Sequence, residues 1–349
     1  MDASIKKLFG LSLGLAAGLG AISGLAAETL NGAGATFPAP VYNKWTYNYG
    51  QSCGTKINYQ SIGSGAGIAQ IKAKTVNFGA SDEPLAKEEM DKFGLMQFPM
   101  LIGGVVPVVN LPGVEPGKLK LSGKLLADIF LGKISKWDDP AIKELNPELK
   151  LPSFPVAVVH RSDSSGTTWI FTNYLGKVSE EWAKGPGNGK DVKWPCGVGG
   201  QKNPGVANNV LKMAGAIGYV EYTYAVEAKM NCVNLQNKDG KFVAPALENF
   251  AASAANADWQ NTPGFFMVLT EQPGEKTWPI SGVTYILIYK EQASAATAKE
   301  MIKYFSWCYT EGAKLASELN YVPLPENVVK MVKDEWKKSL KAEGKQLVE

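Results

Sequence analysis

The sequence predicts an α/β fold, because strand-like and helix-like stretches alternate from Ile57 to about Val233. Short apolar runs that alternate with helical patterns are typical of largely parallel strands buried beneath helices. Near the C-terminus, "TYILIYK" (284–290) is predicted as a strand and 296–319 as a long helical stretch. The other stretches are predicted as strands at 56–62, 76–81, 101–110, 154–160 and the first part of 215–228, and as helices at 66–74, 85–93, 125–132, from the end of the 154–160 strand to about Leu175, and in the second part of 215–228.

Length and composition are those of a globular protein with one large domain or two of ordinary size. The chain has 349 residues, of which 45% are hydrophobic, and this is enough to bury a large core. Its formal net charge is only +3, and lysines are interspersed with carboxylates along the chain. Because the sequence has no basic cluster, we expect no nucleic-acid partner.

The N-terminus has the pattern of a secretory signal peptide. Lys6 and Lys7 precede an uncharged stretch rich in Leu, Ala and Gly (8–27), which ends in small residues. We therefore expect residues 1–27 to be removed, with cleavage after Ala26 or Ala27. A retained membrane anchor is the alternative, because the uncharged run is long enough to span a bilayer. No cysteine follows the apolar run directly, so we expect no lipid anchor and a soluble exported protein.

Two glycine-bearing apolar stretches suggest places where the chain passes between domains. They are "IGGVV" (102–106) and "PISGV" (279–283). Two such passages make the first domain discontinuous, built from 28–103 and 281–349, with 104–280 inserted as the second domain. The sequence pattern alone leaves this division open.

Four short stretches combine small residues with polar ones next to a predicted helix. Backbone N–H groups at a helix start bind anions, and small residues let a ligand approach them closely. The same residue types are also ordinary helix N-caps, so each stretch alone has a second interpretation. The stretches are "GAGATFPAPVYNKW" (32–45) with Thr36 and Phe37, "SIGSGAGIAQI" (61–71) with Ser64, "HRSDSSGTT" (160–168) with Ser164, Ser165, Gly166 and Thr167, and "GASDEPL" (79–85) with the carboxylate Asp82.

The common nucleotide-binding and hydrolase signatures do not fit these stretches. "GSGAG" (63–67) lacks the Lys-Ser/Thr pair of a P-loop, and "GAGATF" (32–37) has no predicted strand before it, as a dinucleotide fingerprint requires. A nucleophile elbow needs glycine two residues before and after the serine. Ile62 and Ala66 occupy those positions around Ser64.

Arg161 is the only arginine of the chain, while the other basic residues are lysines apart from one histidine, His160. A planar guanidinium donates two parallel hydrogen bonds to an oxyanion, which an ammonium group cannot do. We therefore predict that Arg161 binds an anion and that Asp163 pairs with it and orients it. A triad of His160, Asp163 and a nearby serine is disfavoured, because neighbouring strand positions point to opposite faces. A structural role is expected for His160.

The same stretches, taken in order, resemble the periplasmic phosphate-binding proteins of bacterial phosphate ABC importers. The resemblance includes "NGAGATFPAPVYNKW" (31–45), "NYQSIGSGAGIAQI" (58–71), "TVNFGASDEPL" (75–85) and "RSDSSGTTWIFTNYL" (161–175), and it covers nearly all of the chain after residue 27. It implies a two-lobed type 2 periplasmic-binding-protein fold, with the ligand in a cleft between lobes joined by two crossover strands. It also implies the discontinuous division into 28–103 plus 281–349 and 104–280.

The resemblance implies a set of phosphate-binding residues as well. Asp163 corresponds to the residue that pairs with the arginine, and no catalytic or metal-binding residue is implied. His160 stands where the family can have a second basic residue, and Gly65-Ala66 replaces a serine-glycine, but neither change removes a contact. The implied phosphate ligands are Ala35, Thr36, Phe37, Ser64, Asp82, Arg161, Ser165, Gly166 and Thr167.

By this resemblance the chain is expected to bind inorganic phosphate in the periplasm and to deliver it to the permease and ATPase subunits at the inner membrane. A monomer without cofactor or enzymatic activity is implied. Two rival functions are a receptor for another oxyanion and a secreted phosphoester hydrolase that uses Ser64 or Ser165. The absent elbow motif and the absence of a metal-ligand pattern disfavour the hydrolase.

The four cysteines follow the predicted signal peptide at positions that lack any CxxC or Cys/His spacing, so a zinc site is not expected. Three pairings are compatible with two disulfides. The domain division favours Cys53 with Cys308 and Cys196 with Cys232, because each pair then lies within one domain. Free thiols are the alternative.

Overall fold

The computed structural model describes residues 29–255 and 257–347 of the chain, and the predicted signal peptide therefore lies outside the described residues. The α/β class is confirmed. The strands are β1 (Leu30–Gly34), β2 (Ile57–Ser61), β3 (Phe78–Ser81), β4 (Leu95–Asn110), β5 (Lys120–Leu121), β6 (Ala157–Arg161), β7 (Val198–Gly200), β8 (Ala216–Glu221), β9 (Asn231–Cys232), β10 (Asn234–Gln236), β11 (Phe242–Val243), β12 (Ser281–Tyr289), β13 (Glu291–Gln292), β14 (Val322–Pro323), β15 (Lys341–Ala342) and β16 (Lys345–Gln346). The helices are α1 (Ala39–Cys53), α2 (Ser64–Lys72), α3 (Lys87–Phe93), α4 (Gly123–Phe130), α5 (Pro140–Leu145), α6 (Gly166–Val178), α7 (Glu180–Lys184), α8 (Lys202–Lys212), α9 (Tyr222–Glu227), α10 (Leu247–Ala255), α11 (Ala295–Tyr309), α12 (Glu311–Glu318) and α13 (Glu326–Ser339).

One long sheet runs through the molecule in the order β2-β1-β3-β12-β4-β8-β6-β7, and β9 and β14 add to β4. Strand β1 is parallel to β2 and β3, and β6 is parallel to β7 and β8. The central pairs β3–β12, β12–β4 and β4–β8 are antiparallel. The predicted parallel pairs therefore form the two halves of the sheet, and antiparallel strands join them.

Strand β4 belongs to both halves of the sheet. Its first part, up to Gly104, pairs with β12, and its second part, from Val105, pairs with β8. The two predicted glycine stretches meet here, since Gly103 and Gly282 are register partners. A Cβ atom at Gly103 would lie 2.8 Å from the ring of Phe37, so the close packing at this position requires glycine.

Most predicted elements are present within a few residues of their expected ends. Strand β1 was not predicted; it begins at Leu30 and ends in the "GAG" of the first polar stretch, so the expectation that no strand precedes that stretch was wrong. This strand is made mainly of small residues with weak strand propensity, so the local sequence does not indicate it. The helical stretch 296–319 is broken into α11 and α12 at Thr310, whose φ of −106° and ψ of −92° are not helical.

None of the four cysteines is in a disulfide, so the proposed pairing is wrong for this structure. Cys308 is buried and lines a small cavity together with Trp45 of α1. Cys53 is the last residue of α1 and is exposed.

The two cysteines of the second proposed pair are likewise free. Cys196 packs at the end of α4, where its Sγ lies 3.5 Å from the carbonyl oxygen of Phe130. Cys232 lies in β9 and pairs with Val108 of β4. The two thiols therefore contact different elements, and each is partly buried on its own.

Among the described residues, no helix combines the length and the apolar character that a membrane span requires. Within the same residues, no cluster of three histidine, cysteine or carboxylate side chains is arranged to hold a metal ion.

Candidate functional site

The ends of the three parallel strands β1, β2 and β3 lie side by side. Gly34, the last residue of β1, is in register with Ser61 of β2 and Ala80 of β3. The residues that follow these strands are Ala35–Phe37, Ile62–Ser64 and Asp82, so three of the four predicted stretches meet at one edge of the sheet. The fourth stretch follows β6 in the other half of the sheet and begins α6.

Asp82 is buried at this edge, with 1% of its surface exposed. Its Oδ1 accepts a hydrogen bond of 2.8 Å from the hydroxyl of Thr284 on β12, whereas its Oδ2 has no hydrogen-bond partner among the described residues. Burial raises the pKa of Asp82 to about 7, against the lowering effects of Thr284, Arg161 and Ser64. The carboxyl group is therefore able to hold or release a proton near neutral pH.

Ser64 connects the two halves of the site. Its Oγ accepts hydrogen bonds from the backbone N–H of Asp82, at 3.3 Å, and from that of Gly166 at the start of α6, at 3.1 Å. A Cβ atom at Gly166 would lie 2.4 Å from this oxygen and 2.6 Å from Asp82 Oδ2. Glycine is required here because the start of α6 lies directly against the serine and the carboxylate.

The Arg161 side chain is buried and is held by Asp163, as predicted. The guanidinium donates from Nε to Oδ1 at 2.8 Å and from Nη2 to Oδ2 at 2.5 Å. Asp163 Oδ1 also accepts from the backbone N–H of Lys202 at 2.9 Å. Although burial opposes it, pairing with Arg161 lowers the pKa of Asp163, so the carboxylate stays ionised. Within the part of the chain that the structure describes, Arg161 Nη1 has no hydrogen-bond partner, so it is, like Asp82 Oδ2, a buried polar atom of the site without a partner.

The remaining predicted residues are also buried at these loops. Ser165 is the N-cap of α6, because its Oγ accepts from the N–H of Thr168 at 3.1 Å. The capping alternative therefore holds for this hydroxyl, whose own proton is still available for donation. The carbonyl oxygens of Ala35, Thr36 and Phe37 accept hydrogen bonds from the phenol groups of Tyr59, Tyr224 and Tyr321, respectively.

Sequence reasoning missed four residues. Thr284 lies in a stretch recognised only as a strand, and Asn203 lies in the first turn of α8 without any motif around it. Glu83 and Lys190 form an ion pair between the loop after β3 and the loop after α7. Only the last pair carries a signal, since opposite charges next to two predicted stretches suggest a contact between them.

His160 has the structural role that was expected. Its ring is stacked on Trp194, with ring centroids 4.7 Å apart, and its Nδ1 lies 2.9 Å from the carbonyl oxygen of Arg161. Burial lowers the pKa of His160, so the ring is neutral at pH 7. It is not among the groups gathered around Asp82.

A cavity of about 530 Å³ lies elsewhere, between α3, β4, α13 and the segment 259–265. None of the predicted site residues lines it. The candidate site is instead a closed arrangement in which residues from both halves of the sheet touch one another. Such an arrangement of buried donors, one guanidinium and one carboxyl group that can share a proton suits a small protonated oxyanion.

Comparisons with known proteins agree on one family. Residues 20–340 match the family model described as a PBP superfamily domain. The chain is 54% identical over 312 residues to the phosphate-binding protein PstS of Xylella fastidiosa strain Temecula1, covering 89% of this chain and 86% of that protein. It is 51% identical over 323 residues to the PstS protein of Haemophilus influenzae, covering 93% and 97%.

Solved structures agree with the fold. A periplasmic phosphate-binding protein called PfluDING, bound with phosphate, has a TM-score of 0.70 at 20% identity, covering 88% of this chain and 93% of that chain. An ABC-type phosphate transport receptor from Vibrio cholerae has a TM-score of 0.56 at 20% identity, covering 85% and 100%. At this level of identity, the likeness concerns the fold.

Proposed function

The chain belongs to the family of the PstS phosphate-binding proteins within the PBP superfamily, and from this membership we propose that it binds inorganic phosphate for an ABC importer. In this proposal it is an exported receptor in the periplasm that passes phosphate to the permease and ATPase subunits. It acts as a monomer and catalyses no reaction.

One observation carries the proposal for this chain's own residues. Asp82 Oδ2 and Arg161 Nη1 are buried polar atoms to which residues 29–255 and 257–347 offer no hydrogen-bond partner, and they come from opposite halves of the sheet. A buried polar group without a partner costs about 1–3 kcal/mol, and a charged one costs more. A ligand that accepts from the guanidinium and donates to the carboxylate satisfies both atoms, and protonated phosphate does both.

The remaining ligands in the proposal are hydroxyl and backbone donors near these two atoms. The backbone N–H of Gly166 donates to the hydroxyl oxygen of Ser64. In the proposal, both groups donate to an anion that lies between them. The start of α6 adds the partial positive charge of a helix N-terminus. The full proposed set is Ala35, Thr36, Phe37, Ser64, Asp82, Arg161, Ser165, Gly166 and Thr167, with Asp163 holding the arginine.

Asp82 explains how phosphate is chosen over sulfate. Phosphate keeps at least one P–OH group at neutral pH, and that group donates to the buried carboxylate. Sulfate is fully deprotonated, so its oxygen faces the carboxylate oxygen with no proton between them unless one is taken from solution. Such an unmatched buried pair costs several kcal/mol, or roughly three to five decades of affinity.

Closing of two lobes around the ligand is the proposed switch that the permease recognises. The proposed lobes are 28–103 with 281–349, and 104–280. Contacts between them surround the site, including the hydrogen bond of 3.1 Å from Gly65 N–H to Ser164 carbonyl oxygen and the ion pair of Glu83 with Lys190. These contacts support the proposal that the two lobes close over the bound phosphate.

Calorimetric titration of the mature chain tests the proposal. We expect tight binding of phosphate, negligible binding of sulfate at pH 7.5, and competition by arsenate, which carries the same proton. Comparable affinities for phosphate and sulfate would contradict the role of Asp82 and favour a general oxyanion receptor. Turnover of a chromogenic phosphoester, lost in Ser64→Ala or Ser165→Ala, would favour the hydrolase instead.

A further inference from the structure

We propose that Asn203 is a positioning residue that turns the hydroxyl protons of Thr36 and Thr167 toward the bound anion. The inference rests on the proposed function, because it assigns a role at the same site. Asn203 lies in the first turn of α8, away from all of the polar stretches that the sequence marks. No part of its side chain is exposed, so every one of its polar atoms needs a partner inside the protein.

The amide of Asn203 is saturated. Its Nδ2 donates to Thr36 Oγ1 at 2.8 Å and to Thr167 Oγ1 at 3.2 Å. Its Oδ1 accepts from the backbone N–H of Glu221 at 3.0 Å. The backbone N–H is only a donor, and it therefore fixes which end of the amide is oxygen and which is nitrogen. Both amide protons must then point at the two threonine hydroxyls.

A hydroxyl that accepts from Asn203 has its own proton left to donate elsewhere. Among the described residues, Asn203 is the only hydrogen-bond partner of either threonine hydroxyl. Both hydroxyls are buried, with 2% of Thr36 and 1% of Thr167 exposed. The amide thus converts two groups that can donate or accept into two groups that donate, which is the direction an anion requires.

The same contact couples anion binding to closure. Thr36 follows β1 in one half of the sheet, whereas Thr167, Asn203 and Glu221 belong to the other half. The bond from Asn203 to Thr36 therefore forms when the two halves come together. In this proposal the hydroxyl of Thr36 is oriented for donation at the moment when the site closes.

The direction of these hydrogen bonds is tested by Asn203→Asp. The carboxylate has the same shape, and one of its oxygens still accepts from the N–H of Glu221. The other oxygen accepts where Nδ2 donated, so the two threonine protons turn away from the anion. We expect phosphate affinity, measured by calorimetry at pH 7.5, to fall by at least a hundredfold.

The added negative charge also repels phosphate, and a double-mutant cycle separates the two effects. Asn203→Asp is made again in a chain that carries Thr36→Val and Thr167→Val, where no hydroxyl can be turned. We expect a loss of about tenfold or less in that background. An equal loss in both backgrounds would overturn the proposal, since the effect would then be one of charge or packing.

Asn203→Ala provides a second route that adds no charge and serves if the aspartate variant does not fold. This variant frees both hydroxyls to rotate. We expect Asn203→Ala to lower phosphate affinity about tenfold in the chain with both threonines, and to change it little in the chain with Thr36→Val and Thr167→Val. A loss that is independent of the threonines would again overturn the proposal. Failure of the unmodified chain to bind phosphate would instead reject the proposed function, so the two failures are distinguishable.

Discussion

Two buried carboxyl groups lie at the ends of two strands in this protein, and their surroundings differ. Glu221, at the end of β8, has a partner at both oxygens: Oε2 accepts from the N–H of Thr223 at 3.0 Å and shares the phenol proton of Tyr321 with the carbonyl oxygen of Phe37. Its Oε1 lies 3.3 Å from the hydroxyl of Thr223, which also donates to the carbonyl oxygen of Leu319 at 2.6 Å. Asp82, at the end of β3, has one occupied oxygen and one without a partner among the described residues. Burial raises the pKa of both groups.

The difference separates a structural carboxyl group from one suited to a ligand. Glu221 caps α9 and binds the segment around Tyr321, and the protein itself supplies all of its partners. Asp82 is held in place by Thr284 on one side, and no described residue donates to its other oxygen. A raised pKa alone would not distinguish the two, whereas the hydrogen-bond partners do.

The largest expected effect is on selectivity in Asp82→Asn. An amide can donate to sulfate through Nδ2, so the oxyanion no longer meets a carboxylate. We expect the ratio of phosphate to sulfate affinity, from calorimetry at pH 7.5, to shrink by about a thousandfold. Glu221→Gln is the matched control and should leave the ratio within about threefold. A ratio that is unchanged in Asp82→Asn would show that the two carboxyl groups do not differ in the proposed way.

A pH series sharpens the same contrast. Burial raises the pKa of Asp82 from 3.8 to about 7. At pH values between these two, closing of the site around sulfate therefore transfers a proton from solution to Asp82. Sulfate affinity should therefore rise as pH falls from 7 to 4, by up to about tenfold per pH unit. Phosphate brings its own proton, and its affinity should change far less.

Calorimetry in two buffers of different ionisation enthalpy measures this proton uptake directly. We expect close to one proton per sulfate bound at pH 5.5, and none in Asp82→Asn. Equal proton uptake for phosphate and sulfate would argue against a shared proton at Asp82.

Glu221→Ala tests the structural member of the pair. The change leaves the buried N–H of Thr223 without its acceptor and removes the cap of α9, so we expect the free energy of unfolding to fall by about 2 kcal/mol. Urea unfolding in phosphate-free buffer measures this. Selectivity should be retained in the folded variant, and a collapse of the phosphate-to-sulfate ratio would mean that Glu221 also acts on the ligand.

An effect of similar size is expected for Arg161→Lys, which keeps the positive charge beside Asp163. An ammonium group cannot bond both Asp163 and an anion through a planar fork, so phosphate binding should weaken by about 1–3 kcal/mol. Thermal unfolding without phosphate serves as the control, because the fold should be intact. Unchanged affinity would assign Arg161 to the pair with Asp163 alone.

Local patterns predicted much of this structure. The pairing of Arg161 with Asp163 was predicted because the two residues are close in sequence, and the buried strands were predicted because apolar runs identify them. Strand β1 was missed, since small residues form a strand there only under the packing of its neighbours. The disulfide pairing was wrong, because an even number of cysteines does not say which of them the fold brings together.

The sequence by itself determined the α/β class, the family, and the polar stretches where an anion is expected to bind, because these depend on residues that are near one another along the chain. Only the tertiary structure brought Thr284 to Asp82 and placed Asn203 between Thr36 and Thr167. Only the tertiary structure showed that Asp82 and Glu221 differ in their hydrogen-bond partners. The physical reason is that hydrogen-bond saturation is a property of surroundings, and these partners come from segments that lie far apart in the chain.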